Sequence, residues 1–315
     1  MIYTVTLNPA IDNIIKTKEI LTRGKNNRIQ EKYLDVGGKG THVSVGLTLL
    51  EQKNICTGIT GEKRSQELVD LLQNYGTESS FYTVTDQAVR NNYILTDDSG
   101  EGSFMITDFG FPLEKEQIDL FLLEKLSELK EEDTVVISGN PCIQTPLETF
   151  AYFLDRLEER KVRLIADVSG EFLNEVLKRE VFLIKPNQHE FSEIVNEDLS
   201  TLEECIAAYS ENKELLSNVK NISVSMGGTG SVFLTEQDSF IFEPPFIDTV
   251  NDTGSGDAFV SGLIYGLVND LSVKEIGRLA TAIGAAKAEE EKSTGFSIQR
   301  VKELKEQVIC RKIGE

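Results

Sequence analysis

Short runs of β-branched and apolar residues alternate along the chain with segments whose apolar residues recur at helical spacing. This alternation is typical of βαβ units, in which parallel strands form a central sheet and helices cover both of its faces. Two runs, Val135–Ile137 and Phe182–Ile184, are continuously apolar, as expected for strands that are buried on both faces. The pattern therefore predicts an α/β fold with a mainly parallel central sheet.

The predicted strands and helices follow from these runs. The candidate strands are Tyr3–Leu7, Asn54–Gly58, Thr134–Ser138, Arg163–Ala166, Phe182–Lys185 and Ile222–Ser225. The candidate helices include Gly40–Glu51, Ser65–Tyr75, Glu116–Leu129 and Thr145–Glu159.

Two polar segments, residues 12–36 and about 88–108, interrupt this rhythm. In the second segment, the runs Asn91–Leu95 and Gly102–Ile106 flank the turn signal Asp97–Gly100, which predicts a hairpin outside the main sheet. If the two segments pair with each other, they form a small sheet over the strand ends, where it could act as a lid. An edge extension of the main sheet would have the same sequence pattern.

Composition adds a constraint on charge. The 315 residues include 32 Lys and Arg against 52 Asp and Glu, a formal net charge of −20, which disfavours nucleic acids and anionic membranes as partners. An anionic substrate must then be held by a local cluster of cations. The length allows either two average domains or one large α/β domain.

The cysteines and the N-terminal residues indicate a cytoplasmic protein. The four cysteines stand far apart without a CxxC spacing, which favours reduced thiols over disulfides or structural zinc. The first residues lack a basic segment followed by an apolar one, and no apolar run approaches the roughly 18 residues of a membrane span. We therefore expect no membrane partner.

The strongest chemical signal is the segment Asn251–Asp257, with the sequence NDTGSGD, which precedes a helical run of small and apolar residues. Gly254 and Gly256 let the backbone turn tightly and present its N–H groups, and a helix that begins there adds the positive end of its dipole. These features predict an anion hole. Asp257 would lie in the first helical turn, where its carboxylate could accept a proton from a substrate hydroxyl.

Four other segments place polar groups where strands are predicted to end or helices to begin. They are Leu7–Asp12, Asp35–Gly40, Lys185–Glu190 and Ser225–Gly230. In open α/β sheets, ligands bind beyond the carboxyl ends of the strands. We therefore expect these segments to share one site with the predicted anion hole.

The motifs LNPAID (7–12), GGKG (37–40), KPNQHE (185–190), SMGGTG (225–230) and NDTGSGD (251–257), in this order, resemble the PfkB group of ribokinase-like sugar kinases. The resemblance covers residues 1 to about 300 and is greatest with the branch that acts on phosphorylated ketohexoses, 1-phosphofructokinase and tagatose-6-phosphate kinase. It implies a ribokinase-like three-layer sandwich, with one kinase domain over residues 1–315 and a β-sheet lid built from the two polar segments. The family often uses this lid as a dimer clasp, so a homodimer through the lid is a further expectation.

The resemblance also implies roles for individual residues. Asp257 would be the catalytic base, and the backbone of Gly254, Ser255 and Gly256 would form the anion hole. The residues expected on the sugar-phosphate side are Asp12, Gly37, Gly38, Lys39 and Arg90, with Lys25 and Arg28 as companions. Those expected on the ATP side are Lys185, Asn187, Ser225, Gly227, Gly230 and Gly295. Glu190 would act on Mg²⁺ mainly through water, since magnesium keeps several waters.

Two positions depart from the family pattern. His42 stands where the family usually has Asn, and Ser138–Cys142 replaces a usual Ser-Gly-Ser-Leu-Pro run. Both positions line the sugar-phosphate site in relatives, so His42 and Asn140 are also expected substrate contacts. They leave the identity of the phosphosugar open.

These observations predict an ATP-dependent kinase whose first-choice substrate is fructose 1-phosphate, with tagatose 6-phosphate as the alternative. A kinase of an unphosphorylated sugar or a nucleoside is a further reading, and the cations Lys25, Arg28, Lys39 and Arg90 argue against it. A non-catalytic sugar-phosphate sensor is another, and the intact GSGD and NxxE patterns argue against that one. Two other carboxylates near predicted strand ends, Asp35 and Asp167, are expected to be solvated or capping and receive no catalytic role.

Overall fold

The structure is a computed structural model that describes residues 1–97, 99, 102–236 and 238–313. The strands within these residues are β1 (Ile2–Thr6), β2 (Ala10–Thr17), β3 (Ile29–Gly37), β4 (Ile55–Lys63), β5 (Ser79–Ala88), β6 (Arg90–Thr96), β7 (Ser103–Thr107), β8 (Thr134–Ser138), β9 (Arg163–Asp167), β10 (Leu183–Ile184), β11 (Asn221–Ser225), β12 (Ser231–Thr235), β13 (Ser239–Glu243) and β14 (Ile309–Lys312). The helices are α1 (Lys39–Leu49), α2 (Ser65–Gln73), α3 (Lys115–Lys125), α4 (Leu147–Glu158), α5 (Glu171–Val176), α6 (Gln188–Val195), α7 (Leu202–Glu211), α8 (Ser255–Val268), α9 (Val273–Ala288) and α10 (Ile298–Lys305).

The main sheet has ten strands in the order β14-β13-β12-β11-β10-β9-β8-β1-β4-β5. The pairs from β11 to β5 are parallel, and β12, β13 and β14 add three antiparallel pairs at one side. The predicted α/β fold with a mainly parallel sheet is confirmed. The strands β5, β12, β13 and β14 are not among the predicted ones. Of these, β5 and β14 are edge strands with much exposed surface and no continuous apolar run.

Helices cover both faces of this sheet. One face packs against α3, α4 and α6, which bury Phe121, Phe153 and Phe191 completely. The other face packs against α1, α8 and α9, with side chains such as Val43 and Leu263 fully buried. The molecule is therefore a three-layer sandwich. Among the described residues, no helix is both long and apolar enough to cross a membrane.

A second, four-stranded sheet has the order β3-β2-β6-β7. The strand β2 runs antiparallel to β3 and parallel to β6, so the two polar segments of the sequence lie side by side in one sheet. The strand β7 runs antiparallel to β6 as a hairpin. The turn predicted between these last two strands includes Asp98 and Gly100, which lie outside the described residues. Because β2 begins four residues after β1 ends, the small sheet starts at the carboxyl edge of the main sheet.

Candidate active site

Helix α8 begins directly after the glycine-rich segment 251–254. Gly254 precedes the helix with a φ of 81°, in the left-handed region that favours glycine. An added Cβ there would also lie only 2.0 Å from the carbonyl oxygen of Ser293. At Gly256, in contrast, the nearest atom to an added Cβ is Lys185 Nζ at 4.0 Å. The start of α8 is therefore fixed by packing on one side and open on the other.

The first N–H groups of α8 differ in their partners. Ser255 N–H donates to the carbonyl of Asp252 at 3.0 Å, whereas Gly256 and Asp257 N–H donate to no other group in the described part of the chain. Ser255 Oγ is buried and also has no partner there. Free N–H groups and the positive end of a helix dipole favour an anion. An anion at this position would be held by Gly256 and Asp257, while Ser255 N–H holds the turn beneath it.

The Asp257 side chain faces His42 of helix α1, and both are nearly buried. Asp257 Oδ2 lies 2.7 Å from His42 Nδ1, and Nε2 of the same ring lies 2.9 Å from the carbonyl oxygen of Val36. Burial disfavours a charged ring, but the contacts with Asp257 and Asp12 outweigh it and raise the pKa of His42 to about 9. His42, predicted to touch substrate, therefore lies against the predicted base.

Asp12 lies in β2, on the other side of the His42 ring. Its Oδ2 is 3.7 Å from His42 Nε2, and its Oδ1 accepts a hydrogen bond from Asn92 Nδ2 at 2.8 Å. Gly37 approaches the same carboxylate so closely that an added Cβ would lie 2.1 Å from Oδ1. Burial raises the pKa of Asp12, and the nearby His42 opposes that rise. One imidazole ring thus joins the two carboxylates predicted for the sugar side and for catalysis.

Asp167, at the end of β9, lies between two lysines. Its Oδ1 is 3.3 Å from Lys185 Nζ and 3.6 Å from Lys39 Nζ, and its Oδ2 accepts a hydrogen bond from Ser138 Oγ at 3.0 Å. Burial alone would raise the pKa of Asp167, but Lys185 and Lys39 outweigh burial and lower it. The charge of Asp167 in turn raises the pKa of Lys39. Because the Lys39 side chain is 43% exposed, it extends from this buried carboxylate into the open cleft.

Arg90 begins β6 at the end of the small sheet that is nearest to Asp12. Its Nε donates to the carbonyl of Asn8 at 2.9 Å, and one guanidinium nitrogen donates to Asn92 Oδ1 at 3.0 Å. Burial lowers the pKa of Arg90, and the charge of Asp12 opposes that shift. The small sheet therefore places one arginine near the carboxylate Asp12, and contacts with Asn8 and Asn92 hold its guanidinium.

Other residues predicted for the sugar-phosphate side have different surroundings. Asn140 and Ser169 hold each other, since Asn140 Nδ2 donates to Ser169 Oγ at 3.0 Å and Ser169 N–H donates to Asn140 Oδ1 at 2.9 Å. Gly38, with a φ of 104°, is the residue before helix α1. Lys25 and Arg28 are exposed in the connection between β2 and β3, and no contact in the described residues joins their side chains to the cleft. The structure thus places Arg90 near Asp12 and Lys39 near Asp167 and Asp257, but it leaves Lys25 and Arg28 apart.

Asn187 and Glu190 form the start of helix α6. Asn187 Oδ1 accepts a hydrogen bond from Glu190 N–H at 2.9 Å, and Glu190 Oε2 accepts one from Asn187 N–H at 2.8 Å. This reciprocal capping uses one carboxylate oxygen of Glu190. In the described chain Oε1 accepts no hydrogen bond, so this oxygen can serve a ligand.

The residues predicted for the ATP side lie in two turns. Ser225 ends β11 and is followed by a short 3₁₀ turn over Gly227–Thr229. Gly230 closes that turn with a φ of 122°, and an added Cβ would lie 2.2 Å from the carbonyl oxygen of Phe242. Gly295 lies in the second turn. The Ser293 carbonyl of this turn packs against Gly254, in the glycine-rich segment 251–254.

Asp35 and Asp167, which the sequence predicted to be solvated or capping, are each only 2% exposed, so that prediction is wrong. Three buried polar residues of this region received no catalytic role from the sequence. They are Asn92, which holds Asp12; Asp167, which lies between Lys39 and Lys185; and Lys287 in α9. Lys287 Nζ donates to the carbonyl of Asn251 at 3.1 Å, and burial lowers the pKa of Lys287 to about 8. A lysine within the run Ala-Ala-Lys-Ala and an aspartate directly after a buried strand are signals that could have identified two of them.

The chain matches the pfkB family carbohydrate kinase over residues 5–299. It is 30% identical to the 1-phosphofructokinase of Bacillus subtilis over 306 residues, which cover 96% of this chain and 97% of that protein. It is 31% identical to the 1-phosphofructokinase of Escherichia coli over 285 residues, which cover 90% and 89% of the two chains.

Solved structures agree on the fold. A putative phosphofructokinase from Staphylococcus aureus superposes with a TM-score of 0.82 at 27% identity over 99% of both chains. Phosphofructokinase-2 from E. coli, in complex with fructose-6-phosphate, superposes with a TM-score of 0.87 at 24% identity over 97% of this chain and 98% of that one. The ribokinase-like three-layer fold is confirmed, and the family match spans every loop of the cleft described above. The chain therefore belongs to the PfkB family of ATP-dependent carbohydrate kinases.

Proposed function

We propose that this kinase transfers the γ-phosphoryl group of ATP to fructose 1-phosphate and forms fructose 1,6-bisphosphate. The observation that carries the proposal is the arrangement around Asp257, a carboxylate at an open helix N-terminus. Asp257 interacts with Lys39 and contacts His42, and on the other side of the His42 ring Asp12 interacts with Arg90. The B. subtilis and E. coli relatives named 1-phosphofructokinase support this choice of substrate.

Asp257 activates the acceptor hydroxyl in this proposal. Its Oδ2 contacts His42, and Oδ1 accepts no hydrogen bond from the described residues, so Oδ1 is the oxygen that can take the hydroxyl proton. Phosphoryl transfer needs the acceptor oxygen in line with the leaving oxygen and little other covalent help from the protein. One correctly placed carboxylate is therefore sufficient as the base.

The start of α8 stabilises the transferring phosphoryl group. The N–H groups of Gly256 and Asp257 are free to donate to its equatorial oxygens, and Lys185 Nζ lies 4.0 Å from the position of an added Cβ on Gly256. Donors placed in advance at developing negative charge lower the barrier because they need no reorganisation during the reaction. Asp167 keeps the Lys185 ammonium at this place.

Arg90 and Lys39 hold the phosphate that the substrate already carries. A chain with a net charge of −20 repels a dianion at long range, and salt screens charges beyond about 8 Å, so cations must contact the phosphate directly. Arginine can make a two-pronged contact with phosphate. Since Arg90 belongs to the small sheet, a bound phosphosugar would also draw that sheet over the cleft as a lid.

ATP lies against the turns at Ser225–Gly230 and Gly295 in this arrangement. Within the described residues, no group of three or more His, Cys, Asp or Glu side chains is arranged to hold a metal ion. Mg²⁺ does not need such a group, because it commonly binds phosphate oxygens, waters and a single carboxylate. Glu190, with its free Oε1, fits as that carboxylate. When bound there, the ion would supply positive charge against the phosphate oxygens.

Tagatose 6-phosphate is the second candidate substrate, because two positions on the sugar-phosphate side differ from the family pattern. His42 is engaged with Asp257, and Asn140 is engaged with Ser169. Neither side chain offers the substrate the contacts that the usual Asn and Ser would make. These two positions change the hydrogen bonds open to the sugar without removing the cations for its phosphate.

A substrate panel tests the proposal. ADP release by the purified full chain is measured with ATP, Mg²⁺ and each of fructose 1-phosphate, tagatose 6-phosphate, fructose, ribose and adenosine. The highest kcat/KM is expected for fructose 1-phosphate. A higher value for tagatose 6-phosphate would change the assigned substrate, and a higher value for a neutral acceptor would contradict the phosphosugar site. Tight binding of a phosphosugar without turnover would indicate a sensor.

The lid would also join two copies of the chain. The outer strand β7 exposes the apolar residues Phe104, Met105 and Ile106, which are 53–60% exposed. Because successive side chains of a strand point to opposite faces, Phe104 and Ile106 share one face of β7. Packing this face against a second copy would remove both side chains from water. A phosphofructokinase-2 from E. coli is described in a tetrameric form. Light scattering should give twice the mass of 35.1 kDa, and a monomer at micromolar concentration would contradict this.

A further inference from the structure

His42 is buried between two hydrogen-bond acceptors, and its protonation follows from them. Nε2 lies 2.9 Å from the carbonyl oxygen of Val36. A carbonyl oxygen only accepts hydrogen bonds, so Nε2 carries a proton. Nδ1 lies 2.7 Å from Asp257 Oδ2, and an ionised carboxylate also only accepts. A neutral ring protonated at Nε2 would set the Nδ1 lone pair against a carboxylate oxygen, which is repulsive.

Two arrangements remove this repulsion. Either His42 is an imidazolium that donates from both nitrogens, or Asp257 is protonated and donates to Nδ1. The surroundings favour the first arrangement, because Asp12 Oδ2 lies 3.7 Å from Nε2 and adds a second negative group beside the ring. The raised pKa of His42, about 9, agrees with this reading. A protonated Asp257 could not act as the base.

Charged groups from three parts of the fold act on Asp12 and Asp257, the two carboxylates beside His42. From β3, Asp35 acts on Asp12 through its charge. From α1, Lys39 interacts with Asp257, and from α9, the buried Lys287 interacts with both Asp35 and Asp257. The two lysines favour negative charge on the carboxylates, while the carboxylates favour positive charge on His42.

We propose that His42 is a positioning residue of the phosphoryl transfer: as an imidazolium held by Val36, it keeps Asp257 ionised and turns Asp257 Oδ1 toward the acceptor hydroxyl. The proposal rests on the assignment of Asp257 as base. The asparagine that is usual in the family cannot do the same, because its amide is uncharged and shorter. The chain would therefore differ from its relatives in how its base is held.

A pH dependence separates this role from simple packing. Wild-type His42 is charged at neutral pH and becomes neutral as pH rises through about 9, whereas a neutral replacement does not change. The ratio of kcat/KM between wild type and H42N should therefore be constant near pH 7 and fall as pH rises through about 9. The ratio cancels the titration of Lys287, which is present in both proteins. Near pH 7 we expect a ratio of roughly 10 to 100, the range for losing a hydrogen bond between charged groups.

The first test does not use activity. His189 is exposed and is the only other histidine of the chain, so H189Q leaves the His42 ring as the single imidazole signal. Nitrogen-15 NMR of the full chain, labelled at histidine, should show protons on both ring nitrogens at pH 7.5. In H189Q/D257N the titration of the ring should move down by at least about one pH unit. A ring protonated only at Nε2 at pH 7.5 would overturn the proposal even if the kinase activity is as proposed.

The second test is kinetic and uses whichever substrate of the panel turns over best. H42Q is the matched control for H42N, because it keeps an amide donor of greater length and also lacks charge. For both variants, the ratio of kcat/KM between wild type and variant should fall in the same way above pH 9. Melting curves show whether each variant is folded. A ratio independent of pH from 6 to 10 in a folded variant would overturn the proposal. If no substrate turns over, the proposed function fails, while the NMR result still decides the state of His42.

Discussion

The two ends of strand β9 carry ion pairs of nearly equal length and different surroundings. At the amino end, an Arg163 guanidinium nitrogen lies 3.4 Å from Glu132 Oε2, and Glu132 is 76% exposed. At the carboxyl end, Lys185 Nζ lies 3.3 Å from Asp167 Oδ1, and both groups are nearly buried. Exposed pairs contribute about 0–1 kcal/mol, whereas removing one partner of a buried pair costs about 3–5 kcal/mol. The two ion pairs therefore differ far more in burial, and in the free energy that depends on burial, than in length.

The amino edge of the sheet also has a concave surface. A surface cavity of about 780 Å³ lies at the amino edge, beside Phe182. Arg163 and Lys220 lie over the ring of Phe182 at 4.6 and 5.3 Å, and the carboxylates that line the cavity, such as Glu132, are exposed. At the carboxyl edge, buried charges contact one another and a helix N-terminus is open. Perturbed and mutually paired charges are the better sign of a catalytic site.

Among the substitutions that test this contrast between the two edges of the sheet, we expect the largest effect on activity at Asp257. D257N should lower kcat by roughly 100- to 10,000-fold, the usual range for removing a general base, because an amide cannot accept the hydroxyl proton. Steady-state rates at saturating substrates measure it, and ATP affinity should change little. A kcat within a few-fold of wild type would show that Asp257 is not the base.

D167N tests the buried pair at the carboxyl end of β9. It leaves Lys185 buried without its counter-charge, so the free energy of unfolding in urea should fall by about 3–5 kcal/mol. The pH dependence has a definite sign, because the pKa of Asp167 is lowered in the fold. Its contribution is present above the ordinary pKa of about 3.9 and is lost as pH falls through the lowered value. A loss of less than about 1 kcal/mol, the range for an exposed pair, would contradict the contrast between the two ends of β9.

R90A tests whether the small sheet recognises phosphate. Losing a hydrogen bond between charged groups, worth about 1.5–3 kcal/mol, should raise the KM for the phosphosugar by roughly 10- to 100-fold. The KM for ATP should change much less, because Arg90 contacts Asn8 and Asn92 at the small sheet. Initial-rate measurements with each substrate varied separately decide it. An effect on ATP alone would place Arg90 outside the sugar-phosphate site.

The smallest effect is expected at the amino end of β9. E132Q breaks an exposed pair with Arg163, so the free energy of unfolding should change by less than about 1 kcal/mol and kcat should not change. The change should also shrink in high salt, since salt screens exposed charges. A loss comparable with that of D167N would show that exposure does not separate the two ends.

Much of the architecture is local enough to be predicted. The continuous apolar runs at Val135–Ile137 and Phe182–Ile184 predict buried parallel strands, and they lie in β8 and around β10. The end of a strand also depends on which strand lies beside it, so the sequence predicts strand ends less well. The predicted strand Asn54–Gly58 continues to Lys63 in the structure, because β5 lies beside it over that length.

The candidate site divides in the same way. The sequence by itself determined the glycine loops, the carboxylate Asp257 after Gly256 and the family to which the chain belongs, because backbone turns and helix starts depend on neighbouring residues. Only the tertiary structure decided that His42 lies between Val36 and Asp257, and that Asp167 lies between two lysines. Those contacts join residues distant in sequence, and the energy of a charge depends on its burial and partners, which the chain acquires only when it folds.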